Sequence, residues 1–210
     1  MRKPHADAHF WDRIAARYSR KAVADQAAYE TKLAKTDSYL KPSDRVLEIG
    51  CGTGTTALHH APRVQHVLGT DISPKMIDIA REKAVAAGAG NVAFEVSSID
   101  DLDNTAAQYD VILAHSILHL LEDVPGTLSR LHRMLKPGGL LISNTQCIGD
   151  SAAWLAWVAP LGRGLRLLPR INVFREPEYL QWIDDAGFAI EEVWQPKPKA
   201  SHYIVARAEA

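Results

Sequence analysis

Val46-Leu47-Glu48-Ile49-Gly50-Cys51-Gly52-Thr53-Gly54 is the stretch that decides the fold. The apolar run Val46-Leu47 with Ile49 has the length and residue type of a buried strand. It stops at glycines in alternate positions, Gly50, Gly52 and Gly54. Glycine lets a backbone turn sharply and lets another molecule approach the main chain closely. Thr55 to Ala61 then has helix-forming character. Strand, glycine loop and helix in that order predict a nucleotide cradle at the carboxyl end of a parallel strand.

The spacing of the glycines selects among cradles. A dinucleotide fingerprint needs Gly-x-Gly-x-x-Gly, and counting from Gly50 puts Thr55 at the third glycine. A phosphate loop needs a lysine after its last glycine, and none follows Gly54. The pattern is instead acid-apolar-Gly-x-Gly-x-Gly, with Glu48 just ahead of the loop. Downstream, Val64 to Asp71 reads as a second strand ending in an acid, which can accept hydrogen bonds from both ribose hydroxyls of a nucleoside. Ser73 is the better cap for the helix Pro74 to Ala87, with Pro74 at the first helical position, and this leaves Asp71 free.

The rest of the chain extends the alternation of strand and helix. Asn91 to Val96 is the third strand, followed by a loop or short helix at Ser97 to Leu102. Tyr109 to Ala114 is a fourth, central strand. Asp123 to Leu135 is a helix ended by the turn Lys136-Pro137-Gly138-Gly139, and Leu140 to Thr145 is the fifth strand. Glu176 to Ala186 is a helix, and Phe188 to Trp194 and His202 to Arg207 are two last strands joined by a Pro-rich turn. Upstream of the sheet, residues 8–40 read as helix in two pieces, the second about Val23 to Leu40. Phe10, Trp11, Ile14 and Tyr18 form an apolar stripe on the first piece.

Several ordered motifs carry a family resemblance. They are the glycine loop, the Asp71 to Met76 segment, Tyr-Asp-Val-Ile at 109–112 followed by Leu118-His119, and Leu-Lys-Pro-Gly-Gly at 135–139. On these the chain resembles the class I S-adenosylmethionine (SAM) dependent methyltransferases over residues 45–145. The resemblance implies an α/β fold: a doubly wound, mostly parallel seven-stranded sheet with an antiparallel C-terminal strand pair, which a plain dinucleotide fold usually lacks. It implies one domain over 1–210, with a helical lid at 1–42, a SAM-binding core at 43–145, a substrate-side helical insertion at 146–186 and the strand pair at 187–210.

The same resemblance implies SAM as cofactor, S-adenosylhomocysteine as product, and cofactor contacts from Glu48, Gly50, Cys51, Gly52, Gly54, Asp71, Ile72 and Met76. Family members often carry an acid near Ser98 that meets the adenine amino group. Here Ser98 can accept from that amine, and Ile99 can offer a backbone amide and an apolar contact. Two readings stand for Tyr18 and Tyr29: packing against the sheet, or a lid reaching the ligand.

Composition bounds the class. The chain has 210 residues, 47% of them hydrophobic and 23% charged, which suits one soluble globular domain. A formal net charge of -1 gives no electrostatic reason to expect nucleic acid or anionic membrane as partner. Two cysteines, Cys51 and Cys147, stand far apart without a Cys-x-x-Cys. That pattern predicts neither a disulfide framework nor a zinc site, and the expectation is a metal-free, cytoplasmic protein. The N-terminal residues carry no apolar signal core, and no run approaches a membrane span, so no stable membrane insertion is expected.

Ligands in open α/β sheets bind outside the carboxyl ends of the strands. That rule puts the glycine loop, Asp71, Ser98-Ile99, His115 and residues 144–146 on one rim. His115, directly after the fourth strand, is the candidate base or cofactor contact. His119 matches a residue common in the family, with packing or a backbone hydrogen bond as the plainer role. The remaining histidines, including His59, His60 and His132, read as surface or helix positions without a role. From Ser151 to Val173, tryptophans and leucines sit with Arg163, Arg166 and Arg170 and few acids. This stretch reads as a hydrophobic acceptor pocket with Arg170 or Arg175 meeting an acid, as a basic surface that visits membranes, or as helices packing their tryptophans into the core.

The expected function is methyl transfer from SAM to a small, partly hydrophobic molecule by in-line displacement, in a monomer or homodimer. The rivals are an RNA or protein methyltransferase, a dinucleotide oxidoreductase and a SAM-binding module without turnover. Methyltransferases of exocyclic base amines commonly carry Asn/Asp-Pro-Pro-Tyr/Phe after the fourth strand; here Ala114-His115-Ser116-Ile117 stands there.

Overall fold

The computed structural model describes residues 7–102, 107–157 and 168–209. The chain divides into two compact units, Met1–Leu102 and Asp103–Ala210.

The first unit opens with two helices, α1 (Ala8–Arg20) and α2 (Gln26–Tyr39). The aromatic stripe predicted for α1 is only half-buried. The face in close contact is made by Ala8 and Ala15, two turns apart, and Tyr18 is 49% exposed. Asp25 caps α2 by accepting the Ala28 N–H. Strand β1 (Arg45–Ile49) is buried after its first residue, as a central strand must be. It leads through the glycine loop into the short helix α3 (Thr55–His60). A 3₁₀ turn, Ala61–Arg63, follows. Then come β2 (His66–Asp71), α4 (Pro74–Ala86) and β3 (Val92–Val96). Both β2–β1 and β2–β3 are parallel, with Val46 opposite Val67 and Asp71 opposite Val96.

Both N-terminal helices are fastened by aspartates. Asp12 of α1 accepts from Ser73 Oγ at 2.6 Å and from Lys75 N at 3.1 Å, at the start of α4. Asp37 of α2 meets His59 Nε2 at 3.0 Å, His60 Nδ1 at 2.7 Å and Arg63 Nε at 3.1 Å. His59 and His60 therefore anchor a helix, and His60 is fully buried rather than a surface position. Burial lowers the His60 pKa to about 4, against the pull of Asp37, so the ring is neutral near neutral pH.

The second unit holds β4 (Tyr109–His115), α5 (Val124–Met134), β5 (Leu135–Thr145), α6 (Glu176–Asp185), β6 (Phe188–Trp194) and β7 (His202–Ala208). The predicted turn at Lys136 to Gly139 is instead a bulge inside β5. Leu135 pairs with Tyr109 and Leu140 with Val111, so four residues of β5 stand opposite Asp110. Gly138 takes φ +74°, and Lys136 Nζ pairs with Asp110 at 2.8 Å across the bulge. Extra residues on one strand bend it without ending it. β5 runs parallel to β4 and antiparallel to β7, which is antiparallel to β6. The buried Tyr179 hydroxyl donates to Ser143 Oγ at 2.6 Å, tying α6 to β5. His132 lies edge-on to Phe188 at 5.0 Å, a packing position and not an exposed one.

The seven strands form one mixed sheet in the order β3-β2-β1-β4-β5-β7-β6. This is the expected doubly wound sheet with an antiparallel C-terminal pair. Part of the predicted insertion, residues 158–167, lies outside the described residues. On its described side Trp154 is 64% and Trp157 is 87% exposed, so these two tryptophans do not pack into a core. Among the described residues no helix is long and apolar enough to cross a membrane.

Candidate functional site

The first unit assembles most of the predicted cofactor residues around the loop after β1. Gly50, Gly52 and Gly54 all have positive φ, from +53° to +72°. Two backbone bonds close the turn: Cys51 N–H donates to Thr70 O at 2.9 Å, and Gly54 N–H to Cys51 O at 3.0 Å. A Cβ on Gly54 would lie 2.6 Å from Phe94 Cζ and 2.8 Å from Ala80 Cβ. The third glycine is therefore required twice, by its left-handed backbone and by the ring packed against it. From α4, Lys83 Nζ donates to Thr53 Oγ1 at 2.9 Å and Thr55 Oγ1 at 3.1 Å, bracing the loop from outside.

Asp71 ends β2, as expected, but its carboxylate is not free. Oδ2 accepts the Gly52 N–H at 3.0 Å and Oδ1 accepts the Ser73 N–H at 2.9 Å. Ser73 still caps α4, its Oγ accepting the Met76 N–H at 3.1 Å. A carboxylate offers about four lone-pair sites, so Asp71 holds the loop and keeps capacity for another donor. Burial raises its pKa, and the Ser73 and Gly52 amides oppose that rise.

Behind the loop, Glu48 is 2% exposed and its Oε2 has no hydrogen-bond partner. Burial lifts its pKa to about 8, with the Lys32 ammonium and the Ala57 amide pulling the other way. Lys32 is itself buried, which lowers its pKa, and its Nζ sits 4.9 Å from the Tyr29 ring centroid. Tyr18 reaches the loop: its Cε1 lies 3.7 Å from where a Gly52 Cβ would be. Although half of the residue faces solvent, its pKa is raised, first by partial loss of water around the hydroxyl and then by the nearby charges of Asp71 and Glu48. Sequence reasoning missed Lys32, because one lysine in a charged helix carries no local sign of burial.

Cys51 in the loop and Met76 in the first turn of α4 are buried, and Ile72 is half-buried. Burial pushes the Cys51 thiol well above its ordinary pKa, so it is no nucleophile. At the end of β3, Ser98 Oγ donates to Asp101 Oδ2 at 2.8 Å, which leaves its oxygen able to accept. Ile99 is 8% exposed at the start of a 3₁₀ turn, Ile99–Asp101.

The second unit carries the two predicted catalytic histidines. His115 is the last residue of β4, opposite Asn144, and is 7% exposed. Ser116 next to it has φ +57°, rare for a residue with a side chain, and donates its N–H to Asn144 O at 2.7 Å. His119 lies in the 3₁₀ turn Leu118–Leu120, and its carbonyl accepts the Asn172 N–H at 2.7 Å. Burial lowers its pKa to about 4, which makes it a weak base. Arg170, read as a partner for an acidic substrate group, pairs with Glu122 at 2.8 Å.

Known proteins share parts of this sequence and its fold. Residues 46–139 match the family described as "Methyltransferase domain". The chain is 31% identical to the highly reducing polyketide synthase NEC1 of Pyricularia oryzae, over 93% of this chain and 8% of that one. It is 31% identical to the ubiquinone biosynthesis O-methyltransferase of Erwinia tasmaniensis, over 67% of this chain and 60% of that one. It thus spans less than two thirds of these curated relatives. In structure it is similar to an S-adenosylmethionine dependent methyltransferase from Mesorhizobium loti, with a TM-score of 0.71 and 23% identity. That match covers 86% of this chain and 98% of the other. Residues 46–139 thus match the methyltransferase-domain family, and the sheet order and the structural likeness show that the chain has the Rossmann-like fold of the class I methyltransferases.

Proposed function

We propose that the chain binds SAM in the glycine cradle of its first unit and transfers the methyl group to a small, partly hydrophobic acceptor. The observation that carries this is the loop locked by Asp71 on the Gly52 amide, beside a buried Glu48 oxygen that lacks a partner. The residues present fit the cofactor. Asp71 has acceptor capacity left for ribose hydroxyls. Glu48 offers a buried oxygen to the cofactor's ammonium, and a cation there would favour the charged carboxylate that burial now disfavours. Ser98 and Ile99 would meet the adenine, and Tyr18, lying on Gly52, would cover one side.

Bound SAM supplies a methyl group on a sulfonium centre, displaced in line with a neutral thioether as leaving group. The protein's share is then mainly positioning, which supplies on the order of 7–11 kcal/mol. Where the acceptor must lose a proton, His115 is the group we assign as base, worth about 10²–10⁴-fold. His119, neutral near neutral pH, would serve as packing or as a hydrogen-bond acceptor. A relative named as an O-methyltransferase of ubiquinone biosynthesis favours an oxygen nucleophile on a small molecule.

Two measurements test the reading. Calorimetric titration should show SAM and S-adenosylhomocysteine binding without NAD binding; NAD binding without SAM binding would overturn the cofactor. Transfer of labelled methyl to a metabolite extract should exceed transfer to added RNA or protein. The reverse ranking would replace the acceptor class by a macromolecule.

A further inference from the structure

We infer that the second unit holds a zinc site built from Cys147, Asp150, Glu176 and His202. These residues are scattered in sequence and meet only in the fold. Cys147 follows β5, Asp150 ends the 3₁₀ turn Ile148–Asp150, Glu176 opens α6, and His202 opens β7.

The donor atoms converge. One atom each of Cys147, Asp150 and His202 lie within 4.8 Å of one another. Glu176 Oε1 adds a fourth, 3.1 Å from His202 Nδ1. That nitrogen is buried and makes no hydrogen bond despite the short distance. Two ligand-type atoms that close, with no hydrogen bond between them, can be bridged by a shared cation. A tetrahedral zinc with bonds of about 2.0–2.3 Å sets its ligand atoms about 3.4–3.6 Å apart, so pairs among Cys147, Asp150 and His202 close by at most about 1.4 Å, while Glu176 and His202 open slightly from 3.1 Å.

The surroundings hold the donors in place. Asp150 Oδ2 accepts the Glu176 N–H at 2.9 Å, which fixes the first carboxylate and leaves its other oxygen available. The second ring nitrogen of His202 lies 3.0 Å from the Gln195 amide, which also reaches Ala200 O at 2.9 Å. Metal binding through Nδ1 puts the ring proton on Nε2, so the Gln195 amide turns its oxygen to that N–H and gives up Ala200. Gln195 is then a positioning residue of the kind metal-bound histidines use.

The donor set selects the metal. Thiolate, imidazole and carboxylate together suit zinc, whereas calcium and magnesium want oxygen alone. Burial, with Asp150, Glu176 and Glu178 nearby, pushes the Cys147 thiol up to about 12. Without a cation it stays protonated; zinc binding forms the sulfur–metal bond and releases that proton to water. Cys147 and His202 are buried while Asp150 is exposed and Glu176 half-exposed, so the ion enters from the carboxylate side. The other cluster of this type among the described residues, Asp37 with His59 and His60, already has a cation beside it, since Arg63 Nε lies 3.1 Å from Asp37.

The test is metal titration of the full chain after chelator treatment, with zinc against a chromophoric competitor and with cobalt as a spectroscopic probe. We expect one equivalent bound and a thiolate-to-cobalt charge-transfer band. Cys147→Ser should abolish the band. Asp150→Asn, at an exposed position, should weaken zinc about tenfold or more and lose the zinc-induced rise in Tm seen in the unsubstituted chain. His59→Asn should change none of these readouts. Absence of stoichiometric binding overturns the site, as does a thiolate band that survives in Cys147→Ser, or unchanged zinc affinity in Asp150→Asn.

Discussion

The carboxylate of Asp71 accepts the backbone N–H of Gly52 at 3.0 Å, joining the end of β2 to the loop that follows β1. The same side chain holds Ser73 N at 2.9 Å, so one residue sets both the loop and the entry to α4. Asp71→Ala removes both bonds and the acceptor proposed for ribose. The expected result is at least about a tenfold loss of SAM affinity, about 1.4 kcal/mol, together with a lower Tm. Asp71→Asn keeps one acceptor oxygen and should fall between the two. Unchanged affinity by calorimetry in a folded Asp71→Ala chain would remove Asp71 from the site.

Gly54 and Gly88 share a positive φ but differ in their neighbours. A Cβ on Gly54 meets Phe94 Cζ at 2.6 Å, whereas nothing lies within 4 Å of one on Gly88. Gly54→Ala should cost on the order of 2–4 kcal/mol, combining backbone strain with overpacking. Gly88→Ala should cost only the strain, about 1–2 kcal/mol. Urea unfolding of the two variants checks the order. Equal losses would mean that the Phe94 contact relaxes freely.

Asp12 ties α1 to the start of α4 through Ser73 Oγ and Lys75 N. Asp12→Ala should lower stability by about 1 kcal/mol, the size of a lost helix cap. It should also weaken SAM binding, since α1 carries Tyr18 against Gly52. Tyr18→Ala should reproduce the affinity loss with little change in Tm, because Tyr18 is 49% exposed. A Tyr18→Ala chain that binds SAM normally would leave α1 with an architectural role alone.

Glu48 gives stability a pH dependence of defined sign. Its folded pKa of about 8 lies above its ordinary value of 4.5. Between those values the folded state keeps a proton that the unfolded state has released, so stability falls as pH rises through this window. His60 and His119 act oppositely. Their folded pKa values of about 4 lie below 6.5, so the stability tied to their neutral forms is lost as pH falls from 6.5 towards 4. The Glu48 effect is therefore isolated from about pH 6.5 to about pH 8. There the unsubstituted chain should lose stability and Glu48→Gln should not. Parallel slopes by urea unfolding would show that Glu48 ionises normally.

Local pattern alone determined much of this protein. The apolar run into Gly50, Gly52 and Gly54, the acid closing β2, the Ser73 cap with Pro74 behind it and the terminal strands all follow from period, spacing and turn chemistry. These act over a few residues and need no knowledge of the partner. The tertiary structure alone decided which distant groups meet. It engaged Asp71 with Gly52 and buried Lys32 near Glu48. It made a helix anchor of His60, which helical spacing had left without a role. It turned Lys136 to Gly139 into a bulge because Asp110 and β4 continue beside them. It also brought Cys147 to His202, Asp150 and Glu176, where the cysteine spacing had predicted no metal. Contacts of this kind are set by how strands and helices pack, and packing joins residues that no sequence interval relates.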